Sequence, residues 1–80
     1  MEGIIKGFNG SWSSGLGLLC FEDGQAVYCE NGATRALDSC FPGFIAPGHV
    51  IDNDAIAGQR ISYSVGFGNL LESFSPVEEF

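Results

Sequence analysis

The sequence has little positive charge. Only three of its 80 residues are Lys or Arg, against ten Asp or Glu, and the formal net charge is −7. Proteins that coat nucleic acids by bulk attraction carry a basic surface, which displaces counterions from the phosphates. The composition therefore argues against sequence-independent phosphate binding through net charge, and leaves only a local patch of cations for such a role.

The sequence also lacks long apolar runs. No stretch approaches the roughly 18 consecutive apolar residues of a membrane helix, and residues 1–6 have neither the basic region nor the apolar region of a secretory signal. Its 45% of hydrophobic residues is nevertheless too high for a disordered chain. We therefore expect one soluble, cytoplasmic domain over residues 1–80, with a single modest core and no membrane partner.

Cysteines are few and widely spaced. There are three of them, an odd number without a secretory signal, and this favours free thiols over a disulfide framework. Together with His49 they lack the short Cys-x₂₋₄-Cys pairs that hold structural zinc. A Cys40 nucleophile served by His49 and Asp52 would rest on proximity along the chain alone. Residues 52–54 resemble the start of a calcium loop but lack its downstream Gly and Glu. We expect no metal, no cofactor and no enzymatic activity.

Glycine, by contrast, is abundant. Twelve glycines interrupt every stretch of helical periodicity, while β-branched and aromatic runs lie between them, so the pattern predicts an all-β protein. The clearest alternation of apolar and polar residues lies at Ile61, Tyr63 and Val65. Five short strands are predicted, at residues 3–9, 15–21, 26–30, 59–65 and 70–75.

The loop between the second and third predicted strands sets their register. Residues 22–24 (Glu-Asp-Gly) predict a three-residue hairpin loop with Gly24 at its left-handed position. This loop pairs Leu19 with Val27 on one face of the hairpin. On the other face it pairs Cys20 with Ala26, Leu18 with Tyr28, and Leu16 with Glu30.

Residues 31–55 differ in kind from the rest. They contain three turn signals, at 31–32, 41–43 and 46–48, and no sustained alternation of apolar residues. A connection of this length usually has a function or some structure of its own. We expect an inserted loop with a short helical turn at 33–38 and a brief extended piece at 49–51, and we expect the acidic tail at 76–80 to be solvated.

The strand pattern fits a small five-stranded Greek-key barrel of the OB type, and several motifs resemble the cold-shock domain family. Residues 1–9 (MEGIIKGFN) resemble the family's opening M-x-G-x-V-K-W-F-N. Residues 15–19 (GLGLL) stand where the family has G-F-G-F-I, and 23–30 (DGQAVYCE) where it has a turn followed by D-V-F-V-H. Residues 57–65 (AGQRISYSV) resemble E-G-Q-x-V-x-F-x-V. The resemblance implies a cold-shock-like OB barrel with an extended connection between its third and fourth strands.

In that family, aromatic rings on one sheet face stack on the bases of single-stranded DNA or RNA, and nearby Lys and His contact the phosphates. Here Gly7, Leu16, Leu18 and Tyr28 occupy the ring positions, and Glu30 occupies the histidine position. Stacking is worth about 1–3 kcal/mol per base, so the resemblance implies a weakened nucleic-acid-binding face. Its candidate contacts are Lys6, Phe8, Asn9, Trp12, Leu16, Leu18, Tyr28 and Arg60, with Arg35 as a further phosphate anchor.

The same face admits a second interpretation. Leu16, Leu18 and Tyr28 form an apolar patch rimmed by acidic residues, which suits a protein partner better than a polyanion. The domain would then be an interaction module, either a homodimer through this face or an acidic inhibitor that mimics the charge of a nucleic acid. Alternatively, the segment 31–55 folds over the patch and closes it. The sequence leaves these possibilities open.

Overall fold

The computed structural model describes residues 1–10 and 16–77. Five of its strands form one antiparallel sheet in the order β3-β2-β1-β6-β7, and two short strands form a separate hairpin. The five predicted strands are confirmed, with each end within one residue of its predicted position. The elements in chain order are β1 (Glu2–Asn9), β2 (Leu16–Phe21), β3 (Ala26–Glu30), α1 (Asn31–Cys40), β4 (Ile45–Ala46), β5 (Val50–Ile51), β6 (Arg60–Val65) and β7 (Leu71–Pro76).

The hairpin of β2 and β3 has the predicted register. Leu19 lies opposite Val27 and Leu18 lies opposite Tyr28. Gly24 has a φ of +91°, the left-handed conformation that the loop requires. The Phe21 amide donates to the Gln25 carbonyl at 2.8 Å, which closes the loop. The turn residues therefore determine which side chains of β2 and β3 face outward.

The chain is mostly β, as predicted, but it also contains a ten-residue helix, α1, which follows β3 directly. The expected helical turn at 33–38 is the middle of this helix. Thr34 donates its hydroxyl to the Glu30 carbonyl at 3.0 Å, and Leu37 is fully buried. A helix this short is marginal alone, so its packing against β3 and β7 stabilises it more than its local propensity does. No helix among residues 1–10 and 16–77 is long and apolar enough to cross a membrane.

The rest of the long connection is also ordered around the core. β4 and β5 pair as a small hairpin that includes most of the extended piece expected at 49–51. The Asp38 carboxylate accepts from the Ile45 amide at 2.9 Å and ties this hairpin to α1. The Asp52 amide donates to the Phe44 carbonyl at 2.8 Å, and Phe44 itself is completely buried. The connection is therefore part of the hydrophobic core.

The five strands do not close into a barrel. β3 and β7 are the edges of the five-stranded sheet, and within the described ranges they meet only at one parallel bridge, between Tyr28 and Leu70. The side-chain amide of Asn69 donates to the Ala26 carbonyl at 2.8 Å beside that bridge. Beyond this bridge, α1 packs against both edge strands.

The core lies between the curled sheet, α1 and the connection. Phe21 and Tyr63 stack with ring centroids 4.6 Å apart, and Phe8 meets Phe44 edge to face at 5.4 Å. Burying such rings supplies much of the hydrophobic stabilisation of so small a domain. The buried apolar residues are Ile5, Phe8, Leu19, Phe21, Val27, Cys29, Leu37, Phe44, Ile56, Ile61, Tyr63 and Leu71.

Candidate binding face on β1, β2 and β3

One face of β1, β2 and β3 points away from the core. Its side chains follow from the register of the β2–β3 hairpin and its continuation onto β1, where Gly7 pairs with Cys20 and Asn9 with Leu18. Leu16 is 48% exposed and Tyr28 is 43% exposed, and both lie on this face. We call this surface the β1–β3 face. It consists of Gly7, Asn9, Leu16, Leu18, Cys20, Ala26, Tyr28 and Glu30.

Segment 31–55 does not close this face. Leu37 and Phe44 point into the core, and Phe44 contacts Phe8 from the inner side of the sheet. Leu16 and Tyr28 retain about half of their surface, although the whole segment 31–55 is described. The alternative in which this segment covers the patch is therefore wrong.

The structure removes Phe8 from the candidate contacts. Ile5 pairs with Phe21, but Gly7 pairs with Cys20, so Lys6 is the additional residue of a β-bulge. The bulge shifts the alternation by one residue, and Phe8 turns into the core at 4% exposure. Its ring cannot stack on a ligand, because it is enclosed by the core and packs against Phe44.

Asn53 has a role that the sequence did not reveal. Its side-chain oxygen accepts from the Phe8 amide at 2.8 Å. The pairing of β1 with β6 covers residues 2–4, so Phe8 lies on the part of β1 that has no partner in β6. Asn53 is held in a 3₁₀ turn, where the Asp52 carboxylate accepts from the Asp54 amide at 3.0 Å. The residues that resembled a calcium loop therefore cap an edge of the sheet. A lone Asn in a turn gives no sequence signal for a contact 45 residues away.

The cations of the chain are dispersed. Lys6 lies in the bulge of β1, beside the β1–β3 face, and is exposed. Arg60 pairs opposite Ile4 on β6, on the other side of β1 from β2, and Arg35 lies on α1. Lys6, Arg60 and Arg35 therefore lie on three different elements. Trp12 lies outside the described residues.

Polar groups on the face are held in place by its neighbours. The Asn9 side-chain amide donates to the Cys20 sulfur at 3.6 Å, and this contact orients Asn9 across β1 and β2. Glu30 stands at one end of the face, opposite Leu16. Glu22 and Asp23 lie in the exposed hairpin loop at the other end. The face is therefore an apolar strip with acidic ends, and Lys6 is the nearest cation of its own strands.

The three cysteines are free thiols in different environments: Cys40 is exposed, Cys20 half-buried and Cys29 buried. Burial raises the pKa of the Cys29 thiol from 9.0 to about 12, against a smaller opposite effect of the Leu19 backbone. The thiolate, the reactive form, is therefore suppressed at Cys29.

The described residues contain no group of three or more His, Cys, Asp or Glu side chains arranged to hold a metal ion.

We expect iodoacetamide at pH 8 to modify Cys40 rapidly and Cys29 only after unfolding, as mass spectrometry of timed samples would show.

Because the pKa of Cys29 is higher in the folded than in the unfolded chain, its neutral thiol contributes stability that is fully present below about pH 9. That contribution is lost as the pH rises toward 12. The free energy of unfolding should fall over this range, and less steeply in Cys29→Ala. If the free energy of unfolding falls with pH equally steeply in the wild type and in Cys29→Ala, burial of the Cys29 thiol does not cause the pH dependence.

The β1–β3 face thus presents one exposed aromatic ring, two leucines and the side-chain amide of Asn9 on neighbouring strands. Such a surface can bind a ligand by apolar contact and by a few directed hydrogen bonds. Comparison of the chain with protein-family models, with curated proteins and with solved structures gave no match.

Proposed function

We propose that this chain is a non-enzymatic, OB-like binding module whose β1–β3 face docks a protein partner. Three observations support the OB-type, cold-shock-like assignment. The sheet has the order β3-β2-β1-β6-β7, α1 lies between its third and fourth strands along the chain, and the Tyr28–Leu70 bridge brings its edges together. These features agree with the motif resemblance in residues 1–30 and 57–65.

The observation that carries the proposal is the exposure of Leu16 and Tyr28 side by side on a sheet that the long connection leaves open. An apolar patch of this kind marks an interaction site. A Tyr surrounded by aliphatic side chains is a typical anchor of protein interfaces, because its ring is rigid and its hydroxyl can still bond to a partner.

Charge determines which partner fits. The net charge is −7, and the face ends in Glu30 at one side and in Glu22 and Asp23 at the other. Two copies of this chain facing each other would bring these acidic ends together and repel. A partner that presents apolar side chains between basic ones complements the face, as expected for an acidic inhibitor or nucleic-acid mimic.

Single-stranded nucleic acid is the second candidate, favoured by the placement of Tyr28, Asn9 and Lys6 on neighbouring strands. One stacked base contributes about 1–3 kcal/mol, whereas micromolar affinity needs about 8 kcal/mol. With Phe8 buried, Tyr28 is the one aromatic ring exposed on the described part of the face. We therefore rank this candidate below a protein partner.

The two candidates differ in one experiment. The wild-type chain and a Leu16→Ser/Tyr28→Ala double variant would be used to capture partners from cell lysate, and the affinity of each purified partner would be measured by calorimetry. Truncating a central aromatic anchor costs about 2 kcal/mol or more, so we expect at least a thirtyfold weaker complex with the double variant. Val50→Ala, which truncates an apolar side chain that is 60% exposed on β5, is the matched control and should bind normally.

Parallel titrations with oligo-dT and oligo-U at low salt, followed by amide chemical shifts, test the second candidate. Saturable shifts at Tyr28 and Asn9 that disappear in the double variant would establish nucleic-acid binding. A protein partner that binds the double variant as tightly as the wild type would refute the docking role of this face.

A further inference from the structure

A second surface, which shares Glu30 with the β1–β3 face, runs between α1 and β7. It is a groove of about 620 Å³. Ala33 and Ala36 of α1 form one wall, and Leu71 and Phe74 of β7 form the other. Phe67 stands fully exposed at its margin. Its volume lies within the range of about 300–1,000 Å³ that is typical of ligand sites.

The β7 wall has main-chain groups directed into this groove. The Tyr63 amide of β6 donates to the Met1 carbonyl at 2.7 Å, and the Tyr63 carbonyl accepts from the Met1 amino group at 3.0 Å. Neither group of Tyr63 is therefore directed toward Phe74, the residue that lies opposite it on β7. The Val77 amide donates to the Arg60 carbonyl at 3.0 Å, so this pair is a hydrogen-bonded position of the β6–β7 ladder. In an antiparallel pair the bonded and non-bonded positions alternate, so the amide and carbonyl of Phe74 point to the outer edge of β7.

The side chains along this edge differ in chemistry, and the register shift between Ser73 and Leu71 leaves Glu72 as an additional residue of β7. Phe74 lies on the core side with Tyr63, next to the apolar wall of α1, whereas Glu72 and Ser73 are exposed. Glu30 and Glu72 are the charged members of the described lining, which contains no Lys, Arg or His. The groove therefore combines an available strand edge, an apolar floor and negative charge.

We propose that this groove binds an extended peptide segment of a partner protein as an additional strand on the outer edge of β7. The segment alternates apolar and basic residues. Its apolar side chains lie beside Phe74 and against Ala33 and Ala36, and its basic side chains face Glu72. Main-chain hydrogen bonds at Phe74 supply affinity, and the alternation of side chains supplies specificity. This site shares Glu30 alone with the β1–β3 face as defined above.

The probe for this site is the peptide acetyl-Val-Lys-Val-Lys-Val-amide, titrated into the ¹⁵N-labelled full chain. We expect saturable shifts centred on the amides of Ser73, Phe74 and Ala33. The same peptide with its central Val N-methylated loses a main-chain donor, and acetyl-Val-Glu-Val-Glu-Val-amide reverses its charge. Each of these peptides should bind about tenfold more weakly, which corresponds to one lost hydrogen bond or charge contact.

Two protein variants complete the test. Glu72→Lys should weaken binding of the Lys peptide at least fivefold, and Glu72→Gln should weaken it less. Asp54→Lys makes the same change in net charge away from the groove and should bind like the wild type. The proposal is overturned if the peptide fails to bind at millimolar concentration, if the shifts fall on the β1–β3 face instead, or if the N-methylated peptide binds equally well.

Discussion

Replacing Gly17 by Ala should destabilise the protein by at least about 3 kcal/mol, at or beyond the upper end of usual overpacking effects. A Cβ at Gly17 would lie 2.0 Å from Cζ of Phe8 and 2.7 Å from both of its Cε atoms. The Phe8 ring cannot retreat easily, because it is buried and meets Phe44 at 5.4 Å. A domain of this size is stabilised by roughly 4–12 kcal/mol in total. The variant should therefore lose a large part of its stability.

The matched control is Gly7→Ala on the neighbouring strand. A Cβ at Gly7 would come no closer than 3.8 Å to any group, the nearest being the side-chain oxygen of Asn53, which is an ordinary contact. Ala in a strand loses less conformational entropy on folding than Gly does, so this variant should be neutral or slightly stabilising. Urea titrations followed by circular dichroism would compare the two. Similar midpoints for both variants would show that the Phe8 ring does not occupy the position described.

A double-mutant cycle tests whether the loss of stability in Gly17→Ala comes from contact with the Phe8 ring. Phe8→Leu removes the atoms nearest to Gly17 and creates a cavity of its own, so alone it should also destabilise the fold. Combined with Gly17→Ala, the new methyl group fills part of that cavity. The double variant should therefore lose less stability than the sum of the two single variants. Additive losses would mean that the two positions do not share one packing site.

The hairpin loop illustrates what the sequence could predict. Gly24 at a left-handed position, two residues after Glu22, is a local signal, and it determined the pairing of Leu18 with Tyr28 and hence most of the β1–β3 face. Local signals of this kind also placed the five strands, because apolar alternation and glycine boundaries are properties of neighbouring residues.

Phe8 illustrates what the sequence could not predict. Counting alternate residues from Ile5 puts Phe8 on the outer face, and only the bulge at Lys6 turns it inward. The bulge depends on long-range pairing with β2 and on the hydrogen bond from the Phe8 amide to Asn53. Neither partner is near Phe8 in the sequence, so no local pattern reports them.

The helix α1 was underestimated for a related reason. Residues 31–40 contain a Gly, a Thr and an Asp, all weak helix formers, and the first turn has no side-chain cap and no acidic residue. Leu37, fully buried, packs α1 into the core, and the helix contacts both β3 and β7. Tertiary packing therefore overrides local propensity, and the same packing creates the groove along β7.

Phe44→Ala should cost about 3–5 kcal/mol, the usual loss for a fully buried Phe. Phe44 has no exposed surface, and its ring meets Phe8 edge to face at an interplanar angle of 88°. The substitution removes that contact and leaves a cavity beneath β1, between the sheet and the long connection. A large loss of stability would show that this connection is part of the core.

Phe67→Ala is the control for Phe44→Ala, because it removes the same side chain from a position that is 101% exposed. Its effect should stay within about 0.5 kcal/mol, as for most surface substitutions. Thermal and urea unfolding of the two variants measure the difference directly. If Phe44→Ala unfolds like Phe67→Ala, the connection does not contribute to the core. It would then be free to move over the sheet, and the docking proposal, which rests on the exposure of Leu16 and Tyr28, would lose its support.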